Sequence, residues 1–338
     1  MTTYRESGVD LGAADELIAR IGPKVTATWT DDVIGGFGGF AAGIRMPTGI
    51  DRPVLMMSTD GVGTKADIAR AAGSVGGLGW DLLAMVIDDL AAAGATPLAV
   101  QDYIAVGRLS VERVAMIIES VAAACAENRI ALLGGETAEH PGTLDPDQFD
   151  LAATALGVVE EGAAIDGATI TIGDVLVGVT SPNLRSNGFS LVRRVIADRL
   201  DLDGPFPGDN RSTAEVLLEP SLVYAPAIVD TATATTVHGL AHITGGGLPG
   251  NVARILPTGT RAVIETPRWD VPNVFRVIQR LGDIDEAEMF DVFNMGIGFV
   301  IALPEGSVDA ALERLVSFGH EALVIGHVAA GARGVSIN

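Results

Sequence analysis

Two hydrophobic patterns take turns along this chain. Short continuous apolar runs, which fit strands buried on both faces, give way to segments whose apolar positions recur at helical spacing. In the first half the runs 53–59 (PVLMMST), 97–106 (PLAVQDYIAV) and 130–135 (IALLGG) read as strands, and the partly alternating FDLAATALGVVE as another. Between them TKADIARAAG, GLGWDLLAMVIDDLAAAGA and VERVAMIIESVAAACAEN read as helices, the second ending at Gly94. After the turn-rich GAAIDGATITIGD a second series begins. DVLVGVT, GLAHIT, RAVIE, GIGFVIALP and ALVIGHV read as strands, and FSLVRRVIADRL, GLPGNVARIL, VPNVFRVIQRL and VDAALERLVSFG as helices. The pattern predicts α/β architecture in two domains, 1–168 and 169–338. Alternating strands and helices predict by default a doubly wound parallel sheet.

Composition agrees with two soluble domains: 338 residues, 48% hydrophobic and 19% charged. No apolar run approaches the roughly 20 residues that span a bilayer, and MTTYRESGVD lacks the basic and apolar regions of a signal peptide. A cytoplasmic protein without membrane contact is expected. Cys125 is the only cysteine, which excludes an internal disulfide; it sits in the apolar VAAACAEN and reads as a small core residue. The net charge of −21 disfavours nucleic acid. Any phosphate ligand must then be held by local devices: main-chain N–H groups, a few cations or a divalent metal.

Six places carry candidate chemistry. The chain holds only two lysines, and one of them, Lys65, closes STDGVGTK. The spacing is not that of a Walker loop, since Thr64 rather than glycine precedes the lysine. Gly61 and Gly63 can still turn N–H groups toward an anion at a helix start, with Asp60 holding a bridging cation. A strand-to-helix turn capped by Thr64 is the plainer alternative. IGGFGGFAAG, with Gly35, Gly36, Gly38 and Gly39, suits a loop that closes over a ligand, or a flexible linker. Asp81, Asp88 and Asp89 lie within an apolar helix that has no Arg or Lys, so a divalent cation is the expected partner for at least one of Asp88 and Asp89, a solvated stripe the alternative. Glu136 ends an apolar strand and is a third candidate ligand, whereas His140 reads as a loop residue. In the second half Arg185, Ser186, Asn187 and Gly188 precede a helix. His242 and the turn Gly245, Gly246, Gly247 precede another, and close backbone–ligand approach is the expected reason for three glycines.

In order along the chain, SGVD, GGFGGF, STDGVGTK, DDLAAAGATPL, GGETAEHPG, SNGFSLVRR, HITGGGLPGN and FNMGIGF resemble the phosphoribosylformylglycinamidine cyclo-ligase (aminoimidazole ribonucleotide synthetase) family. The resemblance implies an α/β (α+β) fold in place of the doubly wound default. Its N-terminal mixed sheet would form a barrel at a homodimer interface, beside a layered C-terminal α/β domain. It further implies ATP with Mg²⁺ and a phosphoribosyl substrate. ATP would phosphorylate the formyl amide oxygen, and the ribosyl-bearing nitrogen would then attack that carbon, closing the imidazole and releasing ADP and phosphate. On this resemblance Asp60, Asp89 and Glu136 hold Mg²⁺; Lys65, Gly61, Gly63 and Thr64 steady phosphates; and the glycine loop covers ATP. Arg185, Ser186, Asn187, His242 and Gly245–Gly247 then meet the substrate. One departure stands out: the family commonly carries histidine where this chain has Arg185. Thiamine monophosphate kinase-like activity and a catalytically silent nucleotide-binding homologue are the rival readings.

Overall fold

The computed structural model describes residues 8–338. SGVD begins at Ser7, outside the described residues. The first half runs α1 (Leu11–Thr26), β1 (Val33–Ile34), β2 (Gly43–Ile44), β3 (Pro53–Gly61), α2 (Lys65–Ala71), α3 (Leu78–Ala92), β4 (Thr96–Val106), α4 (Val111–Glu127), β5 (Ala131–Glu139) and β6 (Phe149–Glu160). Local signals set several boundaries. Asp10 caps α1 by accepting from the N–H groups of Gly12 and Ala13, and Ser110 caps α4 by accepting from that of Arg113.

Strands β3, β6, β4 and β5 lie side by side in that order, with only β4 and β5 parallel. The doubly wound expectation therefore fails here: β6 returns antiparallel and inserts between β3 and β4. Helices α3 and α4 cover one face of this sheet. On the other face Met57 is 70% exposed and Tyr103 43% exposed. The β1–β2 ribbon carries the glycine loop at its tip.

The second half holds β7 (Val175–Thr180), α5 (Phe189–Ile196), α6 (Thr213–Leu217), α7 (Ala225–Ala234), β8 (Gly239–His242), α8 (Gly247–Ile255), β9 (Thr260–Ile264), α9 (Asn273–Gly282), α10 (Glu286–Val292), β10 (Ile297–Leu303), α11 (Val308–Ser317), β11 (Ala322–Ala330) and β12 (Gly334–Ile337). Its sheet has the order β12-β9-β11-β7-β10-β8 and is antiparallel except for β9 with β12. Helices α5, α8, α9 and α10 pack a core on one face, through Phe189, Leu248, Phe275 and Met289, while α7 and α11 pack the other.

Helix α3 is apolar on nearly every side because it is wedged between the two halves, touching β3, β6 and β4 on one flank and α7 and β8 on the other. The same core cluster holds α3 residues Leu82, Leu83 and Ile87 with Tyr224 and Phe299 of the second half. Neither α1 nor α7 is expected from the hydrophobic pattern. The first carries Pro23 within it, and the second is the threonine- and alanine-rich APAIVDTATA.

Candidate active site

The ends of β3, α3 and β8 meet at the junction of the halves and bring Asp60, Asp89 and His242 together. His242 Nδ1 lies 2.8 Å from Asp89 Oδ1, and Ser58 Oγ donates to Asp89 Oδ2 at 3.1 Å. His242 is buried, its ring stacked 6.0 Å from that of Phe299, and its Nε2 has no hydrogen-bond partner. Burial pushes the Asp60 carboxyl above its ordinary value, and the charge of Asp89 pushes the same way, against an N–H bond from Gly61 and the His242 charge. Asp89 goes the other way. Burial opposes its charge, but the His242 bond and charge together with Ser58 hold it below the carboxylate norm. A cavity of about 310 Å³ opens here, lined by Ser58, Asp89, His242, Asn251 and Arg254. Two acids crowd a half-buried edge, one of them resisting ionisation, and supply hard oxygen donors of the kind Mg²⁺ takes. No group of three or more His, Cys, Asp or Glu that could hold a metal stands together among the described residues.

The two other acids of α3 do not need a metal. Asp81 pairs with Lys65 Nζ at 2.7 Å and accepts from the main-chain N–H and Oγ of Ser221. Asp88 pairs with Arg185 at 2.6 Å and accepts from the N–H groups of Tyr224 and Ala225. The expected cation partner is thus corrected for Asp88: its counter-charge arrives from a distant part of the chain, which helix composition cannot reveal. Lys65 and Arg185 change meaning too. Lys65 is fully buried and also donates to the carbonyls of Arg185 and Glu219, so its three protons are committed. Arg185 is fully buried, its guanidinium 4.6 Å from the centre of the Tyr224 ring. Both cations tie the halves together instead of facing a cleft.

The glycine turns divide likewise. The Gly61 N–H is taken by Asp60 Oδ1 at 2.7 Å, and Thr64 Oγ1 meets Ser190 Oγ at 3.1 Å without capping α2. Gly63 supplies the positive φ (56°) of the turn. At Gly247 a Cβ would come within 1.8 Å of the Phe290 carbonyl oxygen, so packing against α10, not ligand approach, excludes a side chain there. Asn251 Nδ2 donates to the carbonyls of Thr244, Gly245 and Gly247 and braces the turn. Gly245 lies open beside Asn187, and the Ser186 hydroxyl is buried without a partner.

Glu136 does not join Asp60 and Asp89 within one chain. Gly61, Ala152, Tyr103 and Glu136 stand in register across β3, β6, β4 and β5. Three strand spacings, about 14 Å, therefore separate it from the end of β3. It lines instead a cavity of about 360 Å³ beneath the glycine loop, with Gly36, Gly38, Gly39, Phe37 and Phe40 above and Leu17, Ile21, Leu133 and Asp102 around it. Two residues of these cavities escape sequence reasoning. Asp102 sits in an apolar strand run, where alternation with Gln101 and Tyr103 was its only sign. Arg254 looks like an ordinary surface residue of α8.

Over 333 residues the chain is 44% identical to phosphoribosylformylglycinamidine cyclo-ligase of Myxococcus xanthus, covering 98% of this chain and 96% of the relative. The chain belongs to the phosphoribosylformylglycinamidine cyclo-ligase family. Family models for AIR synthase related proteins match residues 39–159 (N-terminal domain) and 171–337 (C-terminal domain). Among solved structures, the fold is shared with hydrogenase maturation protein HypE in complex with ATP (TM-score 0.71, 18% identity, 98% of this chain and 92% of that one). It is shared also with thiamine-monophosphate kinase from Stenotrophomonas maltophilia (TM-score 0.69, 20% identity, 98% and 96%). At those identities the likeness is one of fold alone. In this cyclo-ligase family member the N-terminal model runs from Gly39, late in the glycine loop, into β6, and the C-terminal model spans the six-stranded sheet. No helix among the described residues is long and apolar enough to cross a membrane.

Proposed function

We propose that the chain is an ATP-dependent cyclo-ligase that converts formylglycinamidine ribonucleotide to 5-aminoimidazole ribonucleotide, releasing ADP and phosphate, in de novo purine biosynthesis. Identity to a cyclo-ligase over nearly the whole of both chains carries this reading. Ring closure must expel an amide oxygen, a poor leaving group. Phosphorylation by ATP turns that oxygen into phosphate before the ribosyl-bearing nitrogen attacks the carbon. Such a transfer needs positioning and charge compensation more than a strong nucleophile. The one thiol, Cys125, suits this: it is buried, and burial pushes its pKa up, so it stays a neutral thiol.

Asp60 and Asp89 are the residues that would hold Mg²⁺, which neutralises charge on the nucleotide phosphates. His242, held by Asp89 through Nδ1 and with its buried Nε2 3.8 Å from Asp88 Oδ2, braces Asp89 from behind and fixes the carboxyl toward the cavity. Asn187 and the open Gly245 face the amide end. With Arg185 committed to Asp88, Arg254 is the cation that lines the junction cavity, and it takes the ribose phosphate. Buried against Asp88, Arg185 itself offers no group to the cleft, so turnover decides between the enzyme and a silent homologue. The assay is ADP release that depends on formylglycinamidine ribonucleotide, with aminoimidazole product appearing in step. ATP bound but never hydrolysed in its presence would leave only the silent reading.

A homodimer through the helix-free face of the four-stranded sheet completes the proposal. Met57 and Tyr103 expose apolar surface there that a second copy would cover, closing a barrel. Sedimentation at micromolar concentration should give twice the chain mass; a monomer would refute the arrangement.

A further inference from the structure

Three carboxylates lie buried against the helix layer of the first half, and they are not alike. Asp81 and Asp88 each collect a cation and two further donors. Asp102, only 7% exposed, has no cation paired with it among the described residues, and its own main-chain N–H is the one group that favours its charge. Burying an acid so poorly satisfied is unfavourable, and in folded proteins it calls for a reason. The same residue opens onto the cavity beneath the glycine loop. The strand in front of it is stripped of side chains: a Cβ on Gly135 would lie 2.1 Å from Asp102 Oδ1, and the neighbouring Gly134 has nothing within 4 Å. Paired glycines on β5 thus uncover the carboxyl toward the cavity, where any larger residue at 135 would displace it.

The ligand that fits is flat and apolar on its faces, with a donor beside an acceptor on one edge. Leu17, Ile21, Phe37 and Leu133 supply walls on which a planar ring stacks. Burial raises the Asp102 pKa to about 7, so the neutral acid is well populated at physiological pH. A neutral carboxyl both accepts and donates, and Cys125 on α4 and Glu136 in the same cavity are acids that cannot supply it with a counter-charge.

We infer that Asp102 is a specificity residue that reads the amino edge of adenine in the cavity beneath the glycine loop, accepting from the exocyclic N6 amine and donating to N1. This rests on the ATP reading above and adds to it the group that selects the base. The cavity volume of about 360 Å³ lies within the range of small-molecule sites.

The test is equilibrium binding of two nucleotides that differ only in the N6 amine: ATP and purine ribonucleoside triphosphate. The wild-type chain should prefer ATP about tenfold, the worth of one buried hydrogen bond. In Asp102→Leu the preference should vanish, both nucleotides binding equally. Asp102→Asn, which offers the same acceptor and donor, should keep it. A merely structural Asp102 would weaken both nucleotides together and leave their ratio unchanged. Retention of the preference in Asp102→Leu overturns the inference. So does a wild-type chain that binds both alike, and that measurement needs no variant to fold. A wild-type chain that binds neither nucleotide refutes the ATP reading itself, so the two failures are told apart.

Discussion

Replacing Lys65 with methionine should cost roughly 3–5 kcal/mol of folding stability, because it leaves Asp81 buried and ionised without its counter-charge. Both side chains are wholly inaccessible to solvent, 2.7 Å apart. Burial pulls the Lys65 pKa down, against the charge of Asp81, which pushes it up. The ammonium also satisfies the carbonyls of Arg185 and Glu219 across the junction of the halves. The expected result in urea unfolding is a large drop in midpoint. The double variant Lys65→Met with Asp81→Leu should recover part of the loss, since an apolar pair of similar volume often replaces a buried ion pair at little cost. Recovery stays partial because the Ser221 N–H loses its acceptor. A lysine that served ATP phosphates would behave in the opposite way, with nucleotide affinity collapsing at unchanged stability. That outcome would overturn the structural assignment.

Substituting asparagine for Asp60 or Asp89 should lower turnover roughly 100-fold or more, the scale of several kcal/mol of lost charge compensation. The sign for stability is different at Asp60. Its folded-state pKa is raised, chiefly by burial, so its contribution to stability is full below the unfolded value of 3.8 and is lost as pH rises through the folded one. At neutral pH the ionised group is a liability, and an uncharged amide removes it. Asp60→Asn should therefore unfold at the same or a higher urea concentration than wild type at pH near 7 while turning over far more slowly. Asp89 is held below the norm, with His242 and Ser58 offsetting its burial, so Asp89→Asn should lose stability as well as activity. Unchanged turnover in either variant would strike that residue from the metal site.

How far the letters carried is best seen at α3. Its burial stood open against a solvated stripe, but its boundaries and the oddity of acids in an apolar helix were legible, because hydrophobic period is a local property. The partners were not. Lys65 and Arg185 reach those acids from elsewhere in the chain, and a pairing between distant segments leaves no periodic trace. Glycine motifs were similarly half legible. GGFGGF does lie over a cavity, yet Gly247 is required by the Phe290 carbonyl and Gly135 by the Asp102 carboxyl, neighbours that only folding supplies.

Hydrophobic spacing, caps and ordered motifs were enough to establish two α/β halves, most of the strands and helices, the family likeness, and a set of acids and glycines from which a phosphate site could be assembled. Which acids stand together was settled in three dimensions. Strand order put Asp60 beside Asp89 and His242 while carrying Glu136 to the opposite sheet edge, and packing buried Lys65 and Arg185 while opening Asp102 to a cavity. The physical reason is that spacing along a chain governs which face a residue takes, whereas the neighbour across that face is chosen by sheet order and long-range packing, to which sequence distance is blind.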